Sequence, residues 1–117
     1  MRRCPLTYRQ CRQTVTIYHR ENGAVTRTVC RKAFLDFKKT QNVEKTGGTE
    51  VNSFLLVLPT DHKLVHVGDK VMMGEGPEIS DRDWAGFIPA KVEGLVVVRY
   101  EDPKYYGTTM VHQEAGG

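Results

Sequence analysis

The chain has few cysteines, and their spacing matches no metal or disulfide framework. There are three in 117 residues, Cys4, Cys11 and Cys30, without a Cys-x-x-Cys pair. An odd number in unrelated positions predicts reduced thiols. Three thiolates with His19 or His66 would suit zinc, but the short ligand spacings of structural zinc sites are missing. We therefore expect no metal and no cofactor.

Long hydrophobic runs are also missing. No apolar stretch approaches the roughly 18 residues of a membrane span, and no apolar segment follows the basic start of the chain, as it would in a secretory signal. The composition, 39% hydrophobic and 26% charged, is that of a globular protein. We expect one domain over residues 1–117, no membrane partner, and a protein that stays in the cytosol where it is made.

Groupings of residues typical of an enzyme are absent as well. The histidines His19, His62, His66 and His112 are scattered, and no serine lies in a nucleophile-elbow pattern. The glycine-containing stretch at 74–77 lacks the Gly-Lys-Ser/Thr of a phosphate loop and is interpreted as a turn. We expect no catalytic residues, and we interpret His19 and His112 as packed or hydrogen-bonded strand residues.

Charge is present but unevenly divided along the chain. Residues 1–45 contain eleven Lys or Arg against three acids, a net of +8, whereas residues 46–117 contain six against eleven, a net of −5. Two interpretations stay open. The surface is dipolar and favours association or contact with polyanions, or the strands of the two halves interleave and the charges mix.

Nonspecific nucleic-acid binding is one alternative function for the basic half. Its basic side chains would track phosphates, and Tyr8 and Tyr18 would offer stacking surfaces, although no known binding module organises them. The basic residues concerned are Arg2, Arg3, Arg9, Arg12, Arg20, Arg27, Arg31, Lys32, Lys38, Lys39 and Lys45.

The clearest strand covers residues 14–20, where side chains alternate between two faces. Val15, Ile17 and His19 fall on one face. The other face carries Thr14, Thr16, Tyr18 and Arg20.

Asn22-Gly23 is the strongest turn signal, because both residues tolerate positive φ. It predicts a hairpin whose second strand runs over 25–31 and extends through 34–37. The polar stretch 38–53 then predicts one long loop, a kind of segment that is often functional in a compact domain.

Two further strand regions follow the loop. The apolar run at 54–58 predicts a strand buried on both faces that ends at Pro59. Gly68-Asp69 predicts a bend into a short strand, with the Asp69 carboxylate bonding the amides that follow it.

The end of the chain has two strand-like segments, at 95–100 and 105–114. Asp102-Pro103 lies between them and predicts a turn over 101–104.

One short helix is predicted over 80–85, with Ser80 as its N-cap. Trp84 and Phe87 are candidate interface anchors, and packing of the helix on the core is the alternative. Residues 1–12 are interpreted as an N-terminal arm. The sequence thus predicts an all-β fold, a small β-barrel or sandwich of about six to seven antiparallel strands with a long polar loop and at most one short helix.

Three stretches resemble a family of small structural proteins of tailed bacteriophages, encoded among head and neck genes. The first is the opening strand at 14–18. The second comprises Thr46-Gly47, residues 52–59, residues 67–71 and Gly74, and the third comprises residues 105–113 with the terminal Gly116-Gly117. They occur in the family's order and span nearly the whole chain.

The resemblance implies a virion protein of the head-to-tail interface, made in the host bacterial cytoplasm and most like head-closure or stopper proteins. Such proteins resemble small β-barrels and form a ring beneath the portal. The implied partners are further copies in a six- or twelve-fold ring, portal or adaptor proteins above, and a tail terminator or tail tube below. Packaged DNA would lie nearby without sequence-specific contact. A tail terminator or a minor capsid protein is the alternative within the virion.

The long loop of such proteins helps to seal the channel, which implies that the 38–53 loop faces the lumen or a neighbouring subunit. Its expected partner- or DNA-facing residues are Lys38, Lys39, Asn42, Lys45, Gly47 and Gly48.

Overall fold

The computed structural model describes residues 8–39 and 52–117, and within them the fold is all-β. The strands are β1 (Gln13–Glu21), β2 (Ala24–Lys39), β3 (Asn52–Pro59), β4 (Lys70–Met73), β5 (Leu95–Val97), β6 (Tyr100–Tyr106) and β7 (Thr109–Gly116). A 3₁₀ helix covers Asp81–Gly86. The predicted class, strand number and single short helix are therefore confirmed for the part of the chain that the structure describes.

The strands lie in the order β5-β4-β1-β2-β3-β7-β6, each antiparallel to its neighbours. Strand β2 is 16 residues long and links two halves of the sheet, with β5, β4 and β1 on one side and β3, β7 and β6 on the other. It pairs with β1 as far as Ala33 and with β3 from Phe34 onward. The register between β1 and β2 shifts between Gln13 and Val15, and such irregularities bend strands. One strand therefore passes from the first half of the sheet into the second.

The two outermost strands, β5 and β6, are joined by only two residues, Val98 and Arg99. The Val98 N–H donates to the Asp69 carbonyl at 2.9 Å, and the Arg99 N–H donates to the Gly116 carbonyl at 2.8 Å. These bonds tie the start of β4 and the end of β7 to one short connection. The sheet consequently curls back on itself, as in a sandwich or an open barrel.

The main core lies inside this curl and takes apolar side chains from both halves of the sheet. Its buried members are Val15, Ile17, Ala33, Leu35, Phe54, Leu56, Leu58, Val65, Val71, Val96, Val98 and Ala115. Because both halves of the sheet contribute to this cluster, they pack together as one unit in the described part of the chain.

A second, smaller cluster covers the outer face of β1, β4 and β5. Tyr18 is fully buried there, and its ring packs edge-on against Phe87 with centroids 4.8 Å apart. Leu95 completes the buried part of the cluster. The alternation predicted for residues 14–20 is therefore correct in phase, but Thr16 and Tyr18 on the second face are buried as well.

The hairpin predicted at Asn22-Gly23 is confirmed. Both residues adopt positive φ, 52° and 75°, and Glu21 pairs with Ala24 directly across the turn. This is the geometry for which the Asn-Gly pair is favoured. In β3, by contrast, the predicted burial of both faces is only half right, because Leu55 and Val57 are half-buried on the outer face.

The turn predicted over 101–104 is wrong. Residues Glu101 to Lys104 continue β6 and pair with β7, and the chain turns instead at Gly107, whose φ is 66°. Pro103 is tolerated because β6 lies at the end of the strand order, where its missing N–H breaks no second ladder.

The predicted loop over 38–53 is too long at both ends. Strand β2 continues through Lys39 and β3 begins at Asn52, so that Lys38 pairs with Ser53. The other predicted loop residues, Asn42, Lys45, Gly47 and Gly48, lie outside the described residues. Among the residues that are described, no helix is long and apolar enough to cross a membrane.

Candidate functional site

Three side chains with metal-binding donor atoms, His19, His66 and Asp69, converge at one end of β1 and β4. The antiparallel register pairs Tyr18 with Lys70, so the next position outward places His19 beside Asp69. The His19 Nδ1 lies 2.5 Å from the Asp69 Oδ1, and the two imidazole rings lie 4.6 Å apart. One donor atom from each residue lies within 4.8 Å of the others.

The turn before β4 positions His66 and Asp69 relative to each other. The Asp69 N–H donates to the His66 carbonyl at 3.0 Å, and the His66 N–H donates to the Asp69 Oδ2 at 2.9 Å. Gly68 has a φ of 94°, which a type II turn requires at its third position. These reciprocal bonds hold the carboxylate against the turn that carries the second imidazole.

A buried glutamine fixes the segment that leads into this turn. The Gln113 Oε1 accepts the N–H groups of Leu64 and Val65 at 2.8 and 3.0 Å, and its Nε2 donates to the Val65 carbonyl at 2.8 Å. The side chain thus satisfies backbone groups as a neighbouring strand would. The backbone that leads to His66 and Asp69 is consequently held by the body of the fold.

A charged pair lies next to this network. The Lys63 Nζ contacts the Glu101 carboxylate at 2.9 Å, and the Gln113 amide donates to the same carboxylate at 3.0 Å. Lys63 first, and then Gln113, lower the pKa of Glu101 below its usual range. Glu101 is therefore already engaged as an anion.

The convergence corrects two sequence predictions. His19 and His66 were expected to be scattered, yet β-sheet pairing brings them together across 47 positions of sequence. Asp69 was expected to bond the amides that follow it, yet its carboxylate accepts the preceding N–H of His66. The available signal was the Gly-Asp turn itself, because a turn brings its first and fourth residues together.

The cysteines do not take part in this group. Among the described residues, Cys11 is buried and Cys30 is half-buried, both as free thiols, and neither belongs to the convergent set. Burial raises the pKa of the Cys11 thiol, which makes it a poorer thiolate. The alternative of a zinc site that combines cysteines with His19 or His66 thus gains no support from the described part of the chain.

The candidate interface anchors pack on the protein itself. Phe87 is buried against Tyr18, and Trp84 is half-buried. The Lys70 ammonium lies 4.3 Å from the centroid of the Trp84 ring and donates to the Trp84 carbonyl at 2.5 Å. Burial lowers the pKa of Lys70. These contacts favour the core-packing alternative for both aromatic residues.

Of the two interpretations of the charge division, mixing fits several described residues. Arg20 pairs with Asp81, and Arg31 lies 3.4 Å from Glu75, so basic side chains of the first half meet acids of the second. Tyr18 is fully buried and offers no stacking surface to a nucleic acid.

Part of the predicted N-terminal arm also packs on the body. The Tyr8 hydroxyl bonds the His112 Nδ1 at 2.7 Å, and the His112 Nε2 lies 3.0 Å from the Glu114 carboxylate. His112 is buried, as predicted for a hydrogen-bonded strand residue. The arm is therefore anchored from Tyr8 onward, and residues 1–7 lie outside the description.

No family model, curated protein or solved structure matches this chain.

Proposed function

We propose that the chain is a structural virion protein of a tailed-bacteriophage neck, a head-closure subunit that forms a ring between the portal or adaptor and the tail. The observation that carries this proposal is a two-stranded arm at the ends of β2 and β3, which is separate from the N-terminal arm. The pairing of β1 with β2 ends at Ala33, and the pairing of β7 with β3 covers only Leu55 to Pro59. The pairs Lys38–Ser53 and Lys39–Asn52 lie beyond both.

An arm of this kind suits a ring subunit because the curled body provides a rigid wall while the arm reaches a neighbour or the channel. Phe37, in the last residue pair before the arm, is 42% exposed, which is high for a phenylalanine. On the proposal, the Phe37 side chain and the two lysines after it contact a neighbouring subunit, a portal-side protein or packaged DNA.

Imaging of virus particles labelled with an antibody against the full chain tests the proposed location. Label at the head-tail junction is expected. Label along the tail would replace the proposal with a tail-terminator role, and label over the capsid would replace it with a minor capsid role.

Charge reversal tests the arm separately. Lys38→Glu with Lys39→Glu is expected to leave the protein folded, because both residues lie beyond the main core, but to lower the yield of DNA-filled, tailed particles. Lys32→Glu is the matched control, since Lys32 is exposed on the same strand nearer the body. Equal particle yields from the two variants would contradict a role for the arm in assembly.

A further inference from the structure

We propose that His19, His66 and Asp69 form a binding site for a late first-row divalent cation, with Zn²⁺ as the preferred ion. Two imidazole nitrogens and one carboxylate oxygen are a donor set that zinc accepts, whereas Ca²⁺ and Mg²⁺ prefer oxygen ligands alone. The inference rests on these side chains and is independent of the proposed virion role.

The spacing of two donors already suits a shared ion. The His66 Nδ1 lies 3.6 Å from the Asp69 Oδ2, too far for a hydrogen bond. Bond lengths of about 2.0–2.2 Å to zinc separate two tetrahedral ligands by about 3.3–3.5 Å. A cation between these two atoms therefore requires only a small movement of the exposed His66 ring.

His19 supplies the third donor from β1. Its Nδ1 contacts the Asp69 Oδ1 at 2.5 Å, as a hydrogen bond, so ion binding requires rotation of this side chain. Its side chain is 31% exposed, and that of His66 is 46% exposed, so both rings reach the surface and a fourth ligand position is open to water. The site is thus open on one side, like zinc sites with three protein ligands.

The carboxylate gives the site its charge and its fixed point. Asp69 is only 2% exposed, and buried carboxylates are paired with a charge or coordinate a metal. The Asp69 backbone is held on one side by His66 and on the other by Val98. Because Glu101 is engaged by Lys63, we assign it no ligand role.

Ion binding would join β1 to the turn that precedes β4. His19 and Asp69 are 50 positions apart in sequence, and an ion that binds only the folded chain stabilises the fold by RT ln(1 + [ion]/Kd). The cation is therefore expected to raise the thermal midpoint of unfolding.

The experiment is a calorimetric titration of the full chain, stripped with chelator, with ZnCl₂ and with CoCl₂. One ion per chain is expected, and His66→Ala is expected to weaken binding by at least about 100-fold, since loss of a supporting residue alone costs 10–100-fold at metal sites. His62→Ala is the matched control, because His62 is 70% exposed in the same connecting segment and belongs to no convergent group. His66→Ala is preferred to an Asp69 variant, which would also disturb the turn.

The Co²⁺ spectrum identifies the ligands. Bands of a four- or five-coordinate nitrogen and oxygen site are expected, without a thiolate charge-transfer band. A thiolate band would assign the ion to cysteines and overturn the proposal. So would binding that His66→Ala leaves unchanged, or a wild-type dissociation constant above about 1 mM, which corresponds to weak surface contact.

Discussion

Strands β1 and β3 show how differently the two halves of the sheet are covered. In β1, four consecutive residues from Val15 to Tyr18 are buried, because the core covers one face and the segment around the 3₁₀ helix covers the other. In β3, buried Phe54, Leu56 and Leu58 alternate with half-buried neighbours. One half of the sheet is therefore covered on both faces, whereas the outer face of the other half is partly exposed.

The same contrast appears at the ends of the strand order. β5 contributes Leu95 to the outer cluster, whereas β6 leaves Tyr100 and Tyr105 more than half exposed. Aromatic side chains at exposed positions are common in protein interfaces. The comparison thus places the convergent histidines on the enclosed half and these exposed aromatic side chains on the other.

The largest loss of stability is expected from a cavity in the main core at β3. Leu56→Ala should lower the free energy of unfolding by about 2–5 kcal/mol, because Leu56 is fully buried and truncation leaves a cavity. Leu55→Ala, on the half-buried outer face of the same strand, should cost about 1 kcal/mol. Denaturant unfolding of the two variants measures this, and equal losses would contradict the one-sided burial of β3.

The next largest effect tests the packing around Tyr18 in the second cluster, on the outer face of β1. A side chain at Gly76 would overlap the Tyr18 hydroxyl and lie 2.9 Å from the Met72 sulfur. Gly76→Ala should therefore cost about 1–3 kcal/mol, the usual range for overpacking.

Gly86→Ala is the control for this substitution. No atom lies within 4 Å of a side chain added at Gly86, so its midpoint of thermal unfolding should be unchanged or slightly higher. A Gly76 variant as stable as this control would mean that the outer cover is loosely packed.

The smallest effect concerns the charged pair of Lys63 and Glu101, which links the connection between β3 and β4 to β6. The pKa of Glu101 is lowered in the folded protein, chiefly by Lys63, so its contribution is present above the unfolded pKa, about 4.3, and is lost as the pH falls through the folded value. Wild type should exceed Glu101→Gln in unfolding free energy by up to about 1 kcal/mol at pH 7, and the gap should close in acid.

Asp61→Asn is the comparison for the pH series. The pKa of Asp61 is also lowered, mainly by its sequence neighbour His62, but the carboxyl group is exposed and the neighbour persists in the unfolded chain. Its unfolding free energy should stay parallel to that of wild type across the pH range. A gap for Glu101→Gln that widens below pH 4 would contradict the assignment.

Local patterns were sufficient for the features whose causes are local. The Asn22-Gly23 hairpin and the Ser80 N-cap depend on residues within a few positions, and the alternation over 14–20 fixes which residues share a face. The all-β class follows from the sum of such signals.

Features set by distant neighbours were missed. Whether Pro103 ends a strand or lies in one depends on β6 being at the end of the strand order, which no local pattern encodes. The burial of Tyr18 depends on Phe87, and the meeting of His19 with Asp69 depends on the register of β1 with β4. The Gly68-Asp69 turn was a local signal for one part of the candidate site, but the approach of His19 from β1 could not be predicted without the strand register.

Strand β2 runs unbroken from the Asn22-Gly23 hairpin to the arm that follows Phe37. Apart from the register shift between Cys30 and Ala33, ladder bonds connect these 16 residues first to β1 and then to β3. A pulling force applied at Lys39 would therefore act along a single strand that reaches into the enclosed half of the molecule. Pulling this strand out of the sheet would require many ladder hydrogen bonds to break together.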